Sequence, residues 1–478
     1  MEEQKHPTHG QGHGHGHGHP HGSADENQKK LGLFDCFSIG IGGQIGSGIF
    51  LLLGVALILT GRSACYAVLA AVVAMFGSNM FSYVMSSMFS LRGGVYSQQS
   101  LILPPVFTGV SGLTVLFVGL MFSQYGTGMV EYFGEFVPGI LPYTKPIGVL
   151  IITLAFLATI KGTKFIARMQ STMVVVLLIS IGFFLAFGLP KVRSDFFTAP
   201  GMFSKGPFMF LVACSLMSAT VSGGNGAIAM AAVTKNPTKT IPLSLILSNA
   251  ALAVIYFLMA IVAGGVLPVE QVMGQSLAVV SKEIFPLPLH YLFIIVGVFC
   301  AFATSLLAGV AMLRYPLLAI ARDGWLPKAC TKVDKNGYPW VIQGAFYVFS
   351  LIPIIFGFDI QDIVSMILVP SMFLQLYCNI VVMKFPKKYP EHWKKSIFHM
   401  PYPVYIFMML LCCFCNLFVM FNSLRSLEGL TEVLMIIGIT IALFVYCWIR
   451  VKTKAVDVDK LAERKVAVEK EIASEVAI

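Results

Sequence analysis

The sequence predicts an all-α membrane protein of twelve transmembrane helices, and three observations lead there. Only 12% of the 478 residues are charged and 56% are hydrophobic, against about 25% and roughly 45–50% in an ordinary soluble chain. The apolar residues gather into twelve runs of a length that crosses a hydrocarbon core of about 30 Å as a helix. Lys and Arg crowd alternate connections between those runs. Length alone would suggest two or three soluble domains; composition overrules that. A nucleic-acid partner, a secreted disulfide scaffold and a cytosolic enzyme are all disfavoured at this point.

The runs cover approximately 33–58, 64–89, 107–130, 146–160, 166–189, 207–232, 241–267, 290–320, 340–358, 360–383, 403–422 and 431–449. Each is too long and too evenly apolar for a tilted barrel strand, so the bundle is helical. Before the first run, residues 1–30 are polar and offer no apolar signal-peptide segment. Seven of the ten histidines lie between His6 and His21 in a Gly/His tract. Alternating Gly and His builds no core, so this tail is expected to be disordered, with incidental metal affinity. After the last run, 451–478 reads as an amphipathic tail, with Val456, Leu461, Val466 and Val468 set among charges.

With twelve spans both termini share one side of the membrane. That side carries Arg92, Lys161, Lys164, Arg168, Lys235, Lys239, Arg314, Arg322 and the lysines of 384–395, and the opposite connections hold about threefold fewer basic residues. Both termini are therefore expected in the cytoplasm, and the plasma membrane is the expected location. The formal charge of +10 mainly reports those basic loops. The cysteines lie mostly in apolar runs without metal-ligand spacing and read as small buried hydrophobes.

Glycine is where the chain interrupts its own helices. The first span contains Gly40-Ile41-Gly42-Gly43-Gln44-Ile45-Gly46-Ser47-Gly48-Ile49-Phe50, and the sixth contains Ser222-Gly223-Gly224-Asn225-Gly226. Each glycine costs about 1 kcal/mol of helix propensity relative to alanine. Close helix packing is one reading of such clusters. Interrupted spans at matching places in two halves are also the pointer to a binding site between inverted repeats. That divides the chain into a first repeat (31–190), a second inverted repeat (207–383), and two further helices (403–450).

Four stretches make the pattern more specific. Gly42 to Phe50 reads G-x-x-x-G-x-G-I-F; Arg92-Gly93-Gly94-Val95-Tyr96 follows the second span; Lys235-Asn236-Pro237 with Ile241-Pro242 follows the sixth; and Ala321-Arg322-Asp323-Gly324-Trp325-Leu326-Pro327 follows the eighth. In order and placement they resemble the signatures of the amino acid–polyamine–organocation (APC) superfamily of permeases. The resemblance implies the leucine-transporter fold, a 5+5 inverted repeat plus two helices, and transport by alternating access as symporter or antiporter.

Carried onto this sequence, the resemblance implies that a substrate carboxylate meets N–H groups of Gly46, Ser47 and Gly48. The ammonium would meet carbonyls around Ile41 and Gly42, and around Thr220 and Ser222 beside Gly223. Helix ends carry about half a unit charge each, so a zwitterion is complemented without charged side chains. The spans hold almost no central charge, which favours a neutral amino acid or close analogue over a cation needing a buried carboxylate. Ala219 stands where relatives often carry an aromatic gate, which implies a wider pocket or an unusual substrate. Asn225 is the polar side chain expected in the sixth break; Gln44, Gln124 and Tyr125 are weaker candidates.

The resemblance also implies Na+ as a candidate coupling ion, held by Gly42, Ile45, Ala301, Thr304 and Ser305. Two alternatives stand beside it. Proton-coupled relatives place a lysine of the fifth helix in that space, and this chain has none between Arg168 and Lys191. The hydroxyls of Thr304 and Ser305 also have a plainer use in bonding to their own helix. No cysteine lies between Glu131 and Pro146, so no disulfide-linked heavy chain is expected. A divalent-metal carrier lacks its Asp and Met ligands in these breaks. A membrane enzyme would need a cluster of catalytic side chains at membrane depth, and only His290 lies near a span. Neither a resident metal nor another cofactor is expected.

Overall fold

The computed structural model describes residues 31–91, 94–160, 163–198, 200–334, 338–427, 429–459, 461–463 and 465. The His/Gly tract, Arg92 and Gly93 of the second motif, and the tail beyond 465 lie outside the described residues. Every one of the twelve apolar runs falls on helix. Among the described residues nine helices are long and apolar enough to cross a membrane. Two further pairs qualify when joined, Leu33–Gln44 with Ser47–Thr60 and Ala64–Ser78 with Met80–Met88, bent by 47° and 49°. Trp340–Phe356 is apolar but shorter. The chain is thus a multi-pass helical membrane protein with nine to eleven candidate spans.

Its outer surface shows which solvent it is built for. Phe407, Leu410, Leu411, Phe414, Leu417 and Phe421 form an exposed stripe at helical spacing on Tyr402–Arg425, and Leu434, Ile437, Ile441, Val445 and Trp448 form another on Leu430–Lys452. Such patches match hydrocarbon and would be untenable in water. Inside, Leu33–Gln44 packs on Pro237–Gly265, Ser47–Thr60 on Gly206–Val221, and Ile360–Val382 on Tyr402–Arg425. The two halves of the first span therefore belong to different neighbours. All ten cysteines are unpaired thiols, nine of them buried.

The second span bends at Asn79, which its apolar composition did not reveal. The freed backbone groups are taken up from the far end of the chain. Asn379 accepts the Phe81 N–H at 2.8 Å and donates to the carbonyls of Gly77 and Ser78 at 3.3 and 3.2 Å. A bend inside a membrane persists when neighbouring side chains satisfy it in this way.

The two ends of the bundle are tied differently. At one end Tyr132 donates to the Phe50 carbonyl at 2.9 Å and accepts the Leu277 N–H at 3.1 Å, joining the second half of the first span, Ser47–Thr60, to the short helix Leu277–Ile284. In the connection beside that end, Arg193 grips Asp195 at 3.1 Å and holds its carboxyl below the ordinary range. At the basic end the loop after the eighth span is clamped by the last helix. Arg450 donates to the Gly324 and Leu326 carbonyls at 3.0 Å each, and Tyr446 to that of Trp325 at 2.9 Å. Tyr96 reaches Asp323 at 3.0 Å. Charged donors to buried carbonyls contribute about 1–3 kcal/mol. Arg450→Ala should therefore lower the unfolding temperature of the detergent-solubilised protein clearly; an unchanged value would mean the clamp carries no load.

Candidate functional site

Both predicted interruptions are present. The first helix stops at Gln44, passes through Ile45 (φ −76, ψ 113) and extended Gly46, and restarts at Ser47. The sixth span stops at Val221, runs through extended Ser222, and turns at Gly223, whose φ of +115 is left-handed. Only glycine takes that conformation without strain. The chain then continues as a tight 3-10 turn over Gly224–Val233.

The two breaks meet at bare backbone. A Cβ on Gly43 would lie 2.9 Å from the Gly223 carbonyl oxygen, and one on Gly223 would lie 2.5 Å from that of Gly43. Gly46 is approached by Ser305 and Gly48 by Thr220, while Gly42 faces the methyl groups of Val174 on the fifth span. Packing and interruption are therefore not rival explanations of these glycines; the same residues serve both.

Around that contact, Ile41, Ile45, Ser47 and Thr220 are buried, while Gly48, Ala219 and Asn225 are half-buried. Ser222 and Gly223 are exposed although Gly223 touches the first break, so an opening reaches the junction. Ser222 turns its hydroxyl onto the Ala219 carbonyl at 2.8 Å, and Thr220 turns its own onto Met217 at 2.7 Å. Ile41 already receives the Ile45 N–H at 2.8 Å. Every group at the junction is uncharged, so what it offers is a set of helix-end dipoles.

The amides behave differently from one another. Asn225 points away, donating to Asn79 at 3.3 Å, and so links the sixth break to the bend of the second span. Gln124 bridges to the Phe358 carbonyl at 3.3 Å, a helix-to-helix tie. Tyr125, a phenol and not an amide, packs its ring against Phe122 and turns its hydroxyl to Ser47 in the first break. Gln44 bridges both breaks: its Nε2 donates to the Val221 carbonyl and to Asn249 Oδ1, each at 3.2 Å. Asn249 donates onward to Tyr83 at 3.3 Å and to Leu245 at 2.8 Å, and Tyr256 donates to the Gln44 carbonyl at 3.1 Å. Asn249, Asn79 and Tyr83 were not singled out from sequence. A lone amide in an apolar span is the signal that marks the first two.

On the eighth span, Thr304 donates to the Cys300 and Ala301 carbonyls at 2.7 and 3.0 Å, and Ser305 to Ala301 at 3.0 Å. The helix-bonding use of both hydroxyls is present. Ser305 Oγ also accepts the Ser47 N–H at 3.0 Å and approaches Gly46, so it faces the first break. Among the described residues no three His, Cys, Asp or Glu side chains gather as a metal site.

The family model for amino acid permeases matches residues 31–448. The chain is 24% identical over 396 residues to the branched-chain amino acid permease of Bacillus subtilis, spanning 76% of this chain and 82% of that protein. It is 24% identical over 411 residues to the D-serine/D-alanine/glycine transporter of Escherichia coli, spanning 80% and 85%. It is 25% identical over 331 residues to the cadaverine/lysine antiporter of Escherichia coli, spanning 65% and 71%.

Proposed function

We propose, from the premise that this chain belongs to the amino acid permease family, that it carries neutral amino acids or close analogues across the membrane by alternating access. The observation that supports this most is the meeting of two broken helices at an open, uncharged junction. Half-helix ends there complement a carboxylate and an ammonium together, so a molecule of zero net charge needs no buried acid. Relatives named for branched-chain amino acids and for D-serine, D-alanine and glycine support the neutral class. We assign the site to Ile41, Gly42, Gly46, Ser47 and Gly48 with Ala219, Thr220, Ser222, Gly223 and Asn225. Asn225 acts from behind, through Asn79.

The architecture belonging to this reading has twelve spans, with Trp340–Phe356 as the ninth, in a 5+5 inverted repeat plus two helices. The basic end and both termini face the cytoplasm, and the host is the plasma membrane. The test is uptake of radiolabelled leucine, glycine and D-alanine into proteoliposomes under sodium, proton or no gradient. If none accumulates or exchanges under any condition, the reading fails. A relative named for cadaverine/lysine antiport supports a second reading, amine exchange, which counterflow of cadaverine would reveal.

For coupling we propose Na+, held by the carbonyls of Gly42, Ile45 and Ala301 and the hydroxyls of Thr304 and Ser305. Support comes from Ser305 facing the first break and from the fifth span, which has no lysine between Arg168 and Lys191 and sets the aliphatic Val174 against Gly42. Thr304→Ala with Ser305→Ala should raise the sodium concentration for half-maximal uptake by at least about tenfold. Unaltered sodium dependence would remove this ion site.

A further inference from the structure

The Gln44 side chain is 5% exposed and lies across the gap between the two breaks. Where the sixth span stops being α-helical, its last carbonyls lose their intrahelical partners; Gln44 Nε2 occupies that of Val221 at 3.2 Å. Room for the carboxamide exists because residue 224 is glycine: a Cβ there would lie 2.7 Å from Nε2 and 2.8 Å from Cδ.

The hydrogen-bond chain has one direction. Asn249 Nδ2 donates to Leu245 and Tyr83, which leaves Asn249 Oδ1 as an acceptor for Gln44 Nε2. Turning the Gln44 amide over would set its oxygen against both the Val221 carbonyl and Asn249 Oδ1. The network therefore fixes Oε1 as the other end, and Oε1 is buried without any partner. An unmet acceptor in a low-dielectric interior calls for a donor, and it sits where two helix C-terminal ends already favour positive charge.

We propose that Gln44 is a specificity-determining residue, its Oε1 accepting one N–H of the substrate's amino group while Nε2 stays bonded to Asn249. This deepens the transport reading and rests on it. An amide supplies a dipole without net charge, so an amino group is accepted only when the same molecule brings its own compensating carboxylate. A carboxylate at this position would remove that requirement and admit cations such as diamines. The carboxamide also holds the Val221 carbonyl, so substrate entry and the hold between the breaks are read by one side chain.

The test compares purified wild type with Gln44→Glu, Gln44→Met and Gly224→Ala, each confirmed monodisperse. Leucine, glycine and cadaverine serve as probes, both for uptake and for ligand-induced shifts in melting temperature. Gln44→Met should raise the KM for leucine or glycine at least about tenfold. Gly224→Ala, which displaces the carboxamide while keeping it, should do the same and carries the test if the methionine variant does not fold. Gln44→Glu should raise the cadaverine-to-neutral uptake ratio at least about tenfold, and this gain should fall as pH is lowered enough to protonate the new acid. Variants that keep wild-type KM values and a wild-type ratio overturn the proposal while the transport reading stands. Wild type that neither binds nor moves any probe overturns both.

Discussion

Gly223→Val will reduce uptake by more than about a hundredfold, a loss of the size that a 1 Å misplacement of binding groups produces. Two independent costs act at this position. Its φ of +115 is a region that a β-branched residue enters only with strain of about 1–3 kcal/mol. Its Cβ would also lie 2.5 Å from the Gly43 carbonyl oxygen, a backbone atom that cannot step aside by changing rotamer. Relief requires moving the first break, and with it Gly46, Ser47 and the junction with Ser305. Gly223→Ala should be milder in packing but carry the same backbone strain. Uptake kinetics on protein of matched monodispersity measure the effect; wild-type uptake by Gly223→Val would show that the break does not need its left-handed turn.

Asn379→Leu should be the most destabilising single substitution outside the junction, lowering stability by about 3 kcal/mol. Leucine fills similar space but leaves the Phe81 N–H and the Ser78 carbonyl without the partner Asn379 gives them and takes one of two from the Gly77 carbonyl, a loss that a membrane interior does not make good. Asn416→Leu is the matched comparison. Asn416 bonds only the Cys412 carbonyl of its own helix, and its Oδ1 is buried without a partner. Its removal should change stability by less than about 0.5 kcal/mol. Thermal unfolding of the two variants in the same detergent compares them; equal losses would mean the bend is held by something other than Asn379.

What could be read in advance follows from how far apart the interacting residues are. Helices declared themselves through local hydrophobic runs, and the interruption at Gly46 and Gly223 through local glycine density. The Asn79 bend was hidden because the residue that makes it tolerable lies 298 positions away from Phe81, and no window along the chain contains both. Gln44 was visible as a polar residue in a span, but its bridge to Val221 and Asn249 depends on two helices meeting face to face. Asn225 lies in the break as expected while its side chain turns toward Asn79, because the direction of a side chain in an irregular turn is set by its neighbours. The hydroxyls of Thr304 and Ser305 carry the spacing of an ion site and the habits of ordinary helix residues together.

The backbone contact between Gly43 and Gly223 has a mechanical consequence. Two surfaces that meet through side chains must repack rotamers whenever they shift, whereas two bare strands can roll over each other with little resistance. On the proposed reading the junction is then a low-profile pivot, where Gly43 and Gly223 offer cargo helix-end dipoles but no side chain. Side-chain selectivity would then fall to neighbours, Ala219 without a tie across the breaks and Gln44 with one, so a change of cargo should be separable from a change in the ease of motion at Ala219 and not at Gln44.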